Sequence, residues 1–219
     1  MLIGLTGYKR SGKDSTAAVL ADYGFEKYAF ADALRSMALS VNPMISLEGA
    51  PEDIREHFTV QRMSLGGVLY SQLLNTFGYE AAKEVPDFRR FLQNLGTDGV
   101  RSTFGDNAWV DALDKKLRED GALYIYDDPM MTSGAFRWDK SVVLTDVRFP
   151  NEAAYVHKYL GEVWRIERPG FGGDDPHPSE AFIATLPADR VLHADNLIDL
   201  RAQAVSAIEG VLASEDVQA

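Results

Sequence analysis

A glycine-containing loop near the start of the sequence combines residues that could bind a triphosphate. Gly7 is followed by four residues and then by Gly12 and Lys13, between a short apolar run at 2–5 and a helical pattern that begins near Asp14. Glycines at this spacing let backbone N–H groups turn towards phosphate oxygens, while the lysine reaches the β and γ phosphates. The helix that follows points the positive end of its dipole at the same anion. The stretch therefore predicts a strand, a phosphate-binding loop and a helix.

Asp14 occupies the position at which a Ser or Thr hydroxyl would normally meet Mg²⁺. A carboxylate beside a triphosphate is repulsive unless it faces a metal ion or another positive group. We interpret Asp14 either as a metal ligand, directly or through water, or as a first-turn helix residue, and both interpretations are open at this point. Asp14 and Ser15 together form the candidate Mg²⁺ site. The residues expected to contact ATP are Arg10, Ser11, Gly12, Lys13, Asp14, Ser15, Thr16 and, in a loop where a purine base could rest, Asn196.

An apolar run at 141–145 carries a second group of polar side chains at its end. The run is typical of a buried parallel strand, and Asp146 and Arg148 follow it. In proteins with a phosphate loop, an Asp at this position supports the metal, a bound water or a substrate group. Because the carboxyl ends of parallel strands meet at one edge of a sheet, we expect Asp146 on the same edge as the loop that carries Lys13.

The composition excludes several classes of protein. The formal net charge of −11 argues against general binding of nucleic-acid polymers or anionic membranes, because such binding depends on many Lys and Arg side chains that neutralise phosphates. The absence of cysteine removes disulfides, thiolate nucleophiles and Cys-based zinc sites. No apolar run approaches the roughly 20 residues that span a bilayer, and the N-terminus lacks a signal-peptide pattern. We therefore expect a cytoplasmic protein whose partners are small nucleotides.

Apolar strand patterns alternate with helical patterns along much of the chain, which predicts the α/β class. We predict a single domain over residues 1–219, with a five-stranded parallel sheet flanked by helices in three layers. Residues 42–120 are predicted to form a mostly helical substrate-binding insertion. Aromatic strand patterns separated by turn residues predict a small β-hairpin at 121–139.

Two further stretches are expected to depart from regular structure. Gly96 and Gly99 lie inside a helical pattern at a cost of roughly 1 kcal/mol each relative to alanine, which predicts a break or a close approach near residues 93–98. Residues 168–180 are rich in glycine and proline, follow a predicted strand and have the composition of a lid. Three side chains in this loop invite a metal-site interpretation, although their spacing matches no known ligand set: Asp174, Asp175 and His177.

The chain resembles the bacteriophage deoxynucleoside monophosphate kinases, a branch of the P-loop NMP-kinase fold. The resemblance rests on motifs that are spread over most of the sequence: Gly7 to Ser15 with the unusual Asp14, Arg89-Arg90-x2-Gln93-x-Leu95-Gly96-Thr97-Asp98, Thr145-Asp146-x-Arg148, Arg168-Pro169-Gly170, and His177. Residues 42–85 and the predicted hairpin show no clear match.

This resemblance implies a three-layer P-loop NTPase fold and an activity that transfers a phosphoryl group from ATP, with Mg²⁺, to a deoxynucleoside monophosphate. It implies that Lys9 and Arg35 approach the monophosphate. The remainder of that pocket would comprise Arg89, Gly96, Thr97, Trp109, Asp146, Arg148 and Glu152. Without the resemblance, Arg35 would be interpreted as a solvated helix charge and Trp109 as core packing. The candidate catalytic residues are Lys13, Arg148 and the lid arginine Arg168.

Two other functions share part of these features. A P-loop kinase for another small phosphorylated metabolite, of the phosphomevalonate or dephospho-coenzyme A type, would use the same loop and sheet. A nucleotide-dependent switch would bind one nucleotide and transfer nothing, but the sequence lacks an Asn/Thr-Lys-x-Asp guanine-reading motif and has more arginine clusters than one nucleotide needs. A phage-encoded chain would act in the host cytoplasm, and a homodimer is compatible with the sequence.

Overall fold

The computed structural model describes residues 1–60, 67–126, 135–171 and 182–216. The chain forms two compact units, unit 1 from residues 1–30 and 110–219 and unit 2 from residues 31–109. Unit 1 contains β1 (Leu2–Thr6), α1 (Lys13–Asp22) and β2 (Glu26–Tyr28). The elements of unit 2 are α2 (Ala31–Val41), β3 (Met44–Ser46), α3 (Glu52–Val60), β4 (Gly67–Leu69), α4 (Tyr70–Ala82), α5 (Pro86–Gln93), a π-helical segment (Asn94–Arg101) and α6 (Ser102–Phe104). Helix α7 (Ala108–Glu119) begins at the boundary, and unit 1 continues with β5 (Leu123–Ile125), β6 (Phe136–Trp138), β7 (Val142–Leu144), α8 (Pro150–Lys158), β8 (Glu162–Glu167), β9 (Arg190–His193) and α9 (Leu197–Asp216).

Five parallel strands form the sheet of unit 1, in the order β2-β7-β1-β8-β9. Strand β1 lies at the centre, where Leu2 pairs with Val142 of β7 and Ile3 pairs with Glu162 of β8. All five residues of β1 are buried. A strand covered on both faces needs apolar side chains in both directions, which explains the uninterrupted apolar run in the sequence.

Helices cover both faces of this sheet. On one face, α1 and α9 join a core cluster with Ile3 and Leu5 of β1 and with Trp164 of β8. On the other face, Gly4 lies so close to α8 that an added β-carbon would be 2.9 Å from the Val156 side chain. The alternation of neighbouring residues between the two faces is the normal period of a strand. The predicted α/β class, with a five-stranded parallel sheet flanked by helices, is therefore confirmed.

Unit 2 is built around aromatic and aliphatic side chains from its helices. The ring of Tyr70 stacks on Phe88 with centroids 4.7 Å apart, and both residues are fully buried. Strands β3 and β4 form a short antiparallel pair, which the sequence did not predict. The unit begins at α2, whereas the predicted insertion covered residues 42–120, and α7 has passed into unit 1 by Val110.

Two local predictions can be compared with the structure. The expected irregularity near residues 93–98 is present as the π-helical segment. The hairpin predicted at 121–139 is present as the antiparallel pair of β5 and β6. Its residues 127–134 lie outside the described parts of the chain, as do Asp174, Asp175 and His177 of the predicted lid. Within the described ranges, no helix has the length and apolar character needed to cross a bilayer.

Candidate active site

Three loops of unit 1 follow the carboxyl ends of central parallel strands and carry seven of the predicted site residues. The loop from Gly7 to Gly12 follows β1, Asp146 and Arg148 follow β7, and Arg168 follows β8. Ligands of open α/β sheets bind at this edge, where the connections of neighbouring strands leave in opposite directions. Strand β1 connects towards β2 and strand β8 towards β9, on opposite sides of the sheet.

The loop after β1 has the backbone geometry of a phosphate-binding loop. Gly7 and Gly12 adopt positive φ angles of 147° and 112°, and Arg10 adopts 65°. A β-carbon on Gly7 would lie 2.6 Å from the carbonyl oxygen of Ile166 in β8. A non-glycine residue with positive φ is uncommon, and such strain concentrates where a loop must keep a set shape for a ligand.

Gly12 is also the place where α9 packs on the loop. A β-carbon there would lie 2.3 Å from Cδ2 of Leu200. We expect Gly12→Ala to lower the free energy of unfolding by about 2 to 4 kcal/mol, from left-handed backbone strain plus overpacking. Urea denaturation measures this change, and calorimetry measures the accompanying loss of ATP binding.

Gly210→Ala is the matched control, because the space around Gly210 in α9 is open within 4 Å of an added β-carbon. This variant should be as stable as the wild type or more stable by about 0.5–1 kcal/mol, since alanine favours the helix. A Gly12→Ala protein as stable as the wild type would contradict the packing described.

The ammonium of Lys13 is held over the loop by the loop's own carbonyl groups. Its Nζ donates to the carbonyl oxygen of Gly7 at 2.5 Å and to that of Tyr8 at 2.7 Å. Lys13 is also the first residue of α1, whose first-turn N–H groups have no partner within the helix. Gly12, at the helix N-cap, has no side chain that could cap them. This arrangement places a positive side chain and a set of backbone donors at one anion-binding position.

The side chains around this helix start differ in what they contact. The buried hydroxyls of Ser11 and Thr6 have no hydrogen-bond partner among the described residues. In contrast, the buried hydroxyl of Thr16 donates to the Gly12 carbonyl oxygen at 3.3 Å. Lys9 and Arg10 are exposed, as is Asp14, whereas Ser15 is half-buried. Among the described residues, the loop region thus combines two buried hydroxyls that make no hydrogen bond, Thr6 and Ser11, with two exposed cations, Lys9 and Arg10.

Asp146 and Glu152 fix the backbone at the ends of β2 and β7. Asp146 Oδ1 accepts a hydrogen bond from the Phe30 amide at 2.8 Å. Glu152 is 2% exposed, and its Oε2 accepts the amides of Arg148 at 2.8 Å and Phe149 at 3.1 Å. A carboxylate at the first turn of α8 accepts hydrogen bonds from N–H groups that have no partner within the helix. Its negative charge also interacts favourably with the positive end of the helix dipole. These bonds show that Glu152 shapes the backbone at Arg148; its predicted contact with substrate is still a prediction.

Arg168 begins a tight turn that brings its guanidinium onto an aromatic ring. Phe171 donates its amide to the Arg168 carbonyl oxygen at 3.2 Å, with Pro169 and Gly170 (φ 79°) at the central positions, as in a type II turn. The guanidinium carbon lies 4.6 Å from the Phe171 ring centroid. The Nε atom is buried and has no hydrogen-bond partner among the described residues. The predicted lid can be described only over this turn, up to residue 171.

A cavity of about 520 Å³ opens beside this turn, at the ends of β8 and β9. Its wall includes Tyr8 from the phosphate loop and Arg168 with Phe171 from the turn. It also includes a row of charged side chains: Arg165 Nε donates to Glu167 Oε1 at 2.9 Å, and His193 Nδ1 lies 3.6 Å from Glu167 Oε2. Glu167 and His193 line this cavity but were not among the predicted site residues. The alternation of Arg165 and Glu167 at the end of a strand was the signal that could have found them.

Asn196 caps α9, so its side chain already has several partners. Its Oδ1 accepts the amides of Ile198 at 2.9 Å and Asp199 at 3.0 Å, and its Nδ2 donates to Asp199 Oδ2 at 2.6 Å. Asn is one of the preferred N-cap residues for this reason. The predicted contact between Asn196 and a purine stays a prediction.

The other predicted substrate residues belong to unit 2. Arg35 pairs with Asp32 at 3.1 Å and lies over the ring of Tyr79, 4.5 Å from its centroid. The side chain of Arg89 is half-buried and makes no ion pair within the described ranges. Arg35 is exposed, whereas Arg89 is half-buried, and the predicted contact of both with the acceptor phosphate stays a prediction.

Trp109 and Gly96 are joined directly within unit 2. The indole N–H donates to the Gly96 carbonyl oxygen at 3.1 Å, and Trp109 is 5% exposed. Gly96 packs closely against Leu34, where a β-carbon would be 3.1 Å from Cδ2. Thr97 follows in the π-helical segment and is half-buried. Trp109 therefore packs as a core residue, and its predicted role beside the base is not tested.

No family model matches the chain. Two solved structures align along most of it: a protein from Thermus thermophilus, with 16% identity, a TM-score of 0.46 and 97% of each chain covered, and a dephospho-CoA kinase from Campylobacter jejuni, with 15% identity, a TM-score of 0.42 and 96% of each chain covered.

A protein of Acanthamoeba polyphaga mimivirus is similar in sequence. It carries the name "Putative deoxynucleotide monophosphate kinase" and is 30% identical over 204 residues, which cover 90% of this chain and 89% of its own length. The similarity extends over nine tenths of the chain and over almost the whole of that protein. The protein therefore belongs to the deoxynucleotide monophosphate kinase family.

Proposed function

We propose that the protein transfers the γ-phosphoryl group of ATP to deoxynucleoside monophosphates and forms deoxynucleoside diphosphates and ADP. The observation that carries this proposal is the similarity to the mimivirus protein over nine tenths of both chains. The Lys13-bearing loop at the switch point of the parallel sheet supports the donor half of the reaction. In unit 1, the exposed cation Lys9 supports an acceptor that carries a phosphate.

Catalysis of this reaction depends mainly on the alignment of the two substrates and on positive charge near the transferred phosphoryl group, and little on covalent catalysis by the protein. An acceptor phosphate oxygen forms a bond to the γ-phosphorus, and the bond from that phosphorus to the β–γ bridging oxygen breaks, so that ADP leaves. The acceptor phosphate is largely dianionic at neutral pH, since its second pKa is about 6, and no general base is obligatory. Lys13, Arg148 and Arg168 would stabilise the charge on the phosphoryl oxygens during transfer.

The residues at the start of α1 fit a triphosphate with Mg²⁺. A triphosphate would meet the Lys13 ammonium, the backbone amides of the first turn and the unpaired hydroxyl of Ser11. Mg²⁺ keeps several waters and is held by one or two protein oxygens plus phosphate, which suits Ser15 and Asp14. No group of three or more acidic, His or Cys side chains within the described ranges forms a separate metal site. When bound, the ion would neutralise charge between the β and γ phosphates.

The cavity beside Tyr8 and Arg168 is the proposed place for the donor base. It adjoins the phosphate loop through Tyr8, and Phe171 contributes an aromatic ring to its wall. Its polar wall offers Glu167, whose carboxylate could accept a hydrogen bond from an exocyclic amino group. This position agrees with the general location of ligands beyond the carboxyl ends of such strands.

Arg148→Ala should raise the KM for deoxynucleoside monophosphates by about tenfold or more, because one charged hydrogen-bonding partner of the acceptor phosphate is lost. The KM for ATP should change by less than about twofold, since Arg148 follows β7 and not the donor-side strands β8 and β9. Steady-state kinetics with each substrate varied in turn measures both constants.

Arg137→Ala is the control for this variant, because Arg137 is an exposed arginine of the hairpin that pairs with Asp139. It should leave both KM values unchanged. Equal increases in the two KM values for Arg148→Ala would show that Arg148 does not belong to the acceptor pocket.

A panel of four dNMPs and four NMPs, each with ATP and Mg²⁺, tests the proposed function. Formation of ADP together with a nucleoside diphosphate is expected for at least one dNMP, at rates above those of dephospho-coenzyme A and phosphomevalonate. A bisubstrate dinucleotide should compete with both substrates, which a one-nucleotide switch would not show. Absence of turnover with every dNMP would contradict the proposal.

A further inference from the structure

Tyr70 in unit 2 is fully buried, yet its hydroxyl has no hydrogen-bond partner among the described residues. Leaving a buried hydroxyl unpaired is unfavourable, and the large majority of such groups in native proteins have a partner. Phenylalanine would fill the same ring position without this cost. The packing of the ring therefore explains the aromatic side chain at this position but not its hydroxyl group.

The aromatic cluster around Tyr70 connects its ring to the place where Arg35 lies. Tyr70 stacks on Phe88, and Tyr79 meets the same Phe88 edge-on with centroids 6.0 Å apart. Helix α4 is kinked at Gly78 (φ 75°, ψ 172°), directly before Tyr79. Arg35 lies on the Tyr79 ring. The two tyrosines of α4 and the arginine of α2 thus belong to one packed cluster.

The charge of Arg35 acts on the Tyr70 hydroxyl. Burial raises the pKa of Tyr70 to about 12, Tyr79 contributes to the increase, and the positive charge of Arg35 opposes it. At neutral pH the hydroxyl is consequently neutral, and its oxygen can accept a hydrogen bond from a guanidinium N–H. In the structure, Arg35 donates an N–H to Asp32.

We propose that Tyr70 is a positioning residue for Arg35: its buried hydroxyl oxygen accepts a guanidinium N–H when Arg35 turns from Asp32 to the phosphate of the acceptor. This inference rests on the proposed function, because it assigns Arg35 to the acceptor phosphate. A guanidinium fixed at one end keeps its remaining donors in a planar fork that suits two phosphate oxygens. The phosphate replaces Asp32 as the anionic partner, and the unpaired oxygen gains its bond in the same step.

Tyr70→Phe tests the proposal, because it removes one oxygen and keeps the ring. The KM for the deoxynucleoside monophosphate should rise about tenfold, the usual effect of losing a hydrogen bond to a charged group. Both kcat and the KM for ATP should stay within about twofold. Thermal unfolding should occur at the same temperature or higher, since an unpaired buried hydroxyl has been removed. An unchanged acceptor KM in a folded variant would overturn the proposal.

A double-mutant cycle separates positioning from a structural effect. In an Arg35→Gln background, Tyr70→Phe should cause no further rise in the acceptor KM, because the group that it positions is already gone. Equal effects of Tyr70→Phe in both backgrounds would overturn the proposal. Tyr23→Phe, which removes a hydroxyl that donates to Glu209 on the surface, is the control and should leave all constants unchanged.

Failure of the proposed function can be distinguished from failure of this inference. If wild-type protein converts no dNMP, the four proteins of the cycle are compared for thermal stabilisation by inorganic phosphate: the wild type, Tyr70→Phe, Arg35→Gln and the double variant. Binding at the Lys13 loop contributes equally to all four. A smaller stabilisation in Tyr70→Phe and in Arg35→Gln, without a further decrease in the double variant, supports the inference; equal stabilisation of all four overturns it.

Discussion

Replacing Lys13 with alanine is expected to lower kcat by about 10²- to 10³-fold, the usual effect of removing one preorganised donor to charge that develops in a transition state. The ammonium is fixed over the loop by the carbonyl oxygens of Gly7 and Tyr8, so it needs little reorganisation when a triphosphate binds. The lost bonds should reduce the free energy of unfolding by only about 1 kcal/mol. Single-turnover kinetics at saturating ATP and acceptor measures the chemical step directly.

Lys115→Ala is the matched control for this variant. Lys115 lies on α7 with a largely exposed side chain, 3.7 Å from Glu119, and should affect neither turnover nor folding. Circular dichroism and thermal unfolding show whether Lys13→Ala keeps the fold. A folded Lys13→Ala protein with wild-type kcat would disprove the role of the loop in transfer.

Replacing Arg168 with alanine is expected to lower kcat by about 10³-fold, within the range of arginines that stabilise the charge of a transferred phosphoryl group. The turn from Arg168 to Phe171 and the stacking on the Phe171 ring hold the guanidinium at the carboxyl end of β8. Its buried Nε has no partner within the described ranges, so the group has donor capacity left for a ligand. Quenched-flow measurement of diphosphate formation gives the rate of transfer.

Arg168→Lys shows whether charge alone is enough. Lysine keeps the positive charge but lacks the planar fork and stacks less well on an aromatic ring, so only a partial recovery is expected. Arg201→Ala, at an exposed position of α9, is the control. An Arg168→Ala enzyme with an unchanged transfer rate would remove Arg168 from the set of catalytic residues.

The sheet of unit 1 was predictable because its signals are local. Strand β7 is a short apolar run whose three residues are all buried, and the polar residues after it mark its end. The phosphate loop was predictable for the same reason, since its glycine spacing reflects backbone angles that other residues adopt at a cost. Strands β3 and β4 also have three residues each, but they were missed because Ser46 and Gly67 leave only two apolar residues in each, which is too little for an apolar run like that of β7.

The contacts of the site were less predictable than its position. Asn196 was predicted to contact the base, which stays a prediction; its role as the cap of α9 was not predicted, because an Asn in a loop suits both roles and the capping bonds depend on the residues around it. The two glycines near residue 96 predicted an irregularity but neither a π-helical segment nor the bond from Trp109 to the Gly96 carbonyl oxygen within it. Tyr70 gave no signal, because an unpaired hydroxyl can be recognised only when its surroundings are known.

The contact between Gly12 and Leu200 bears on the order in which unit 1 can fold. The loop at the start of the chain is packed by α9, and β1 pairs with strands that begin at Val142 and Glu162. Contacts between such distant positions form slowly, because a long segment must be closed first. The complete form of the loop consequently depends on bringing together segments that lie far apart in the sequence. A nucleotide bound at this loop would in turn stabilise the docking of α9, since it would favour the state in which the loop is complete.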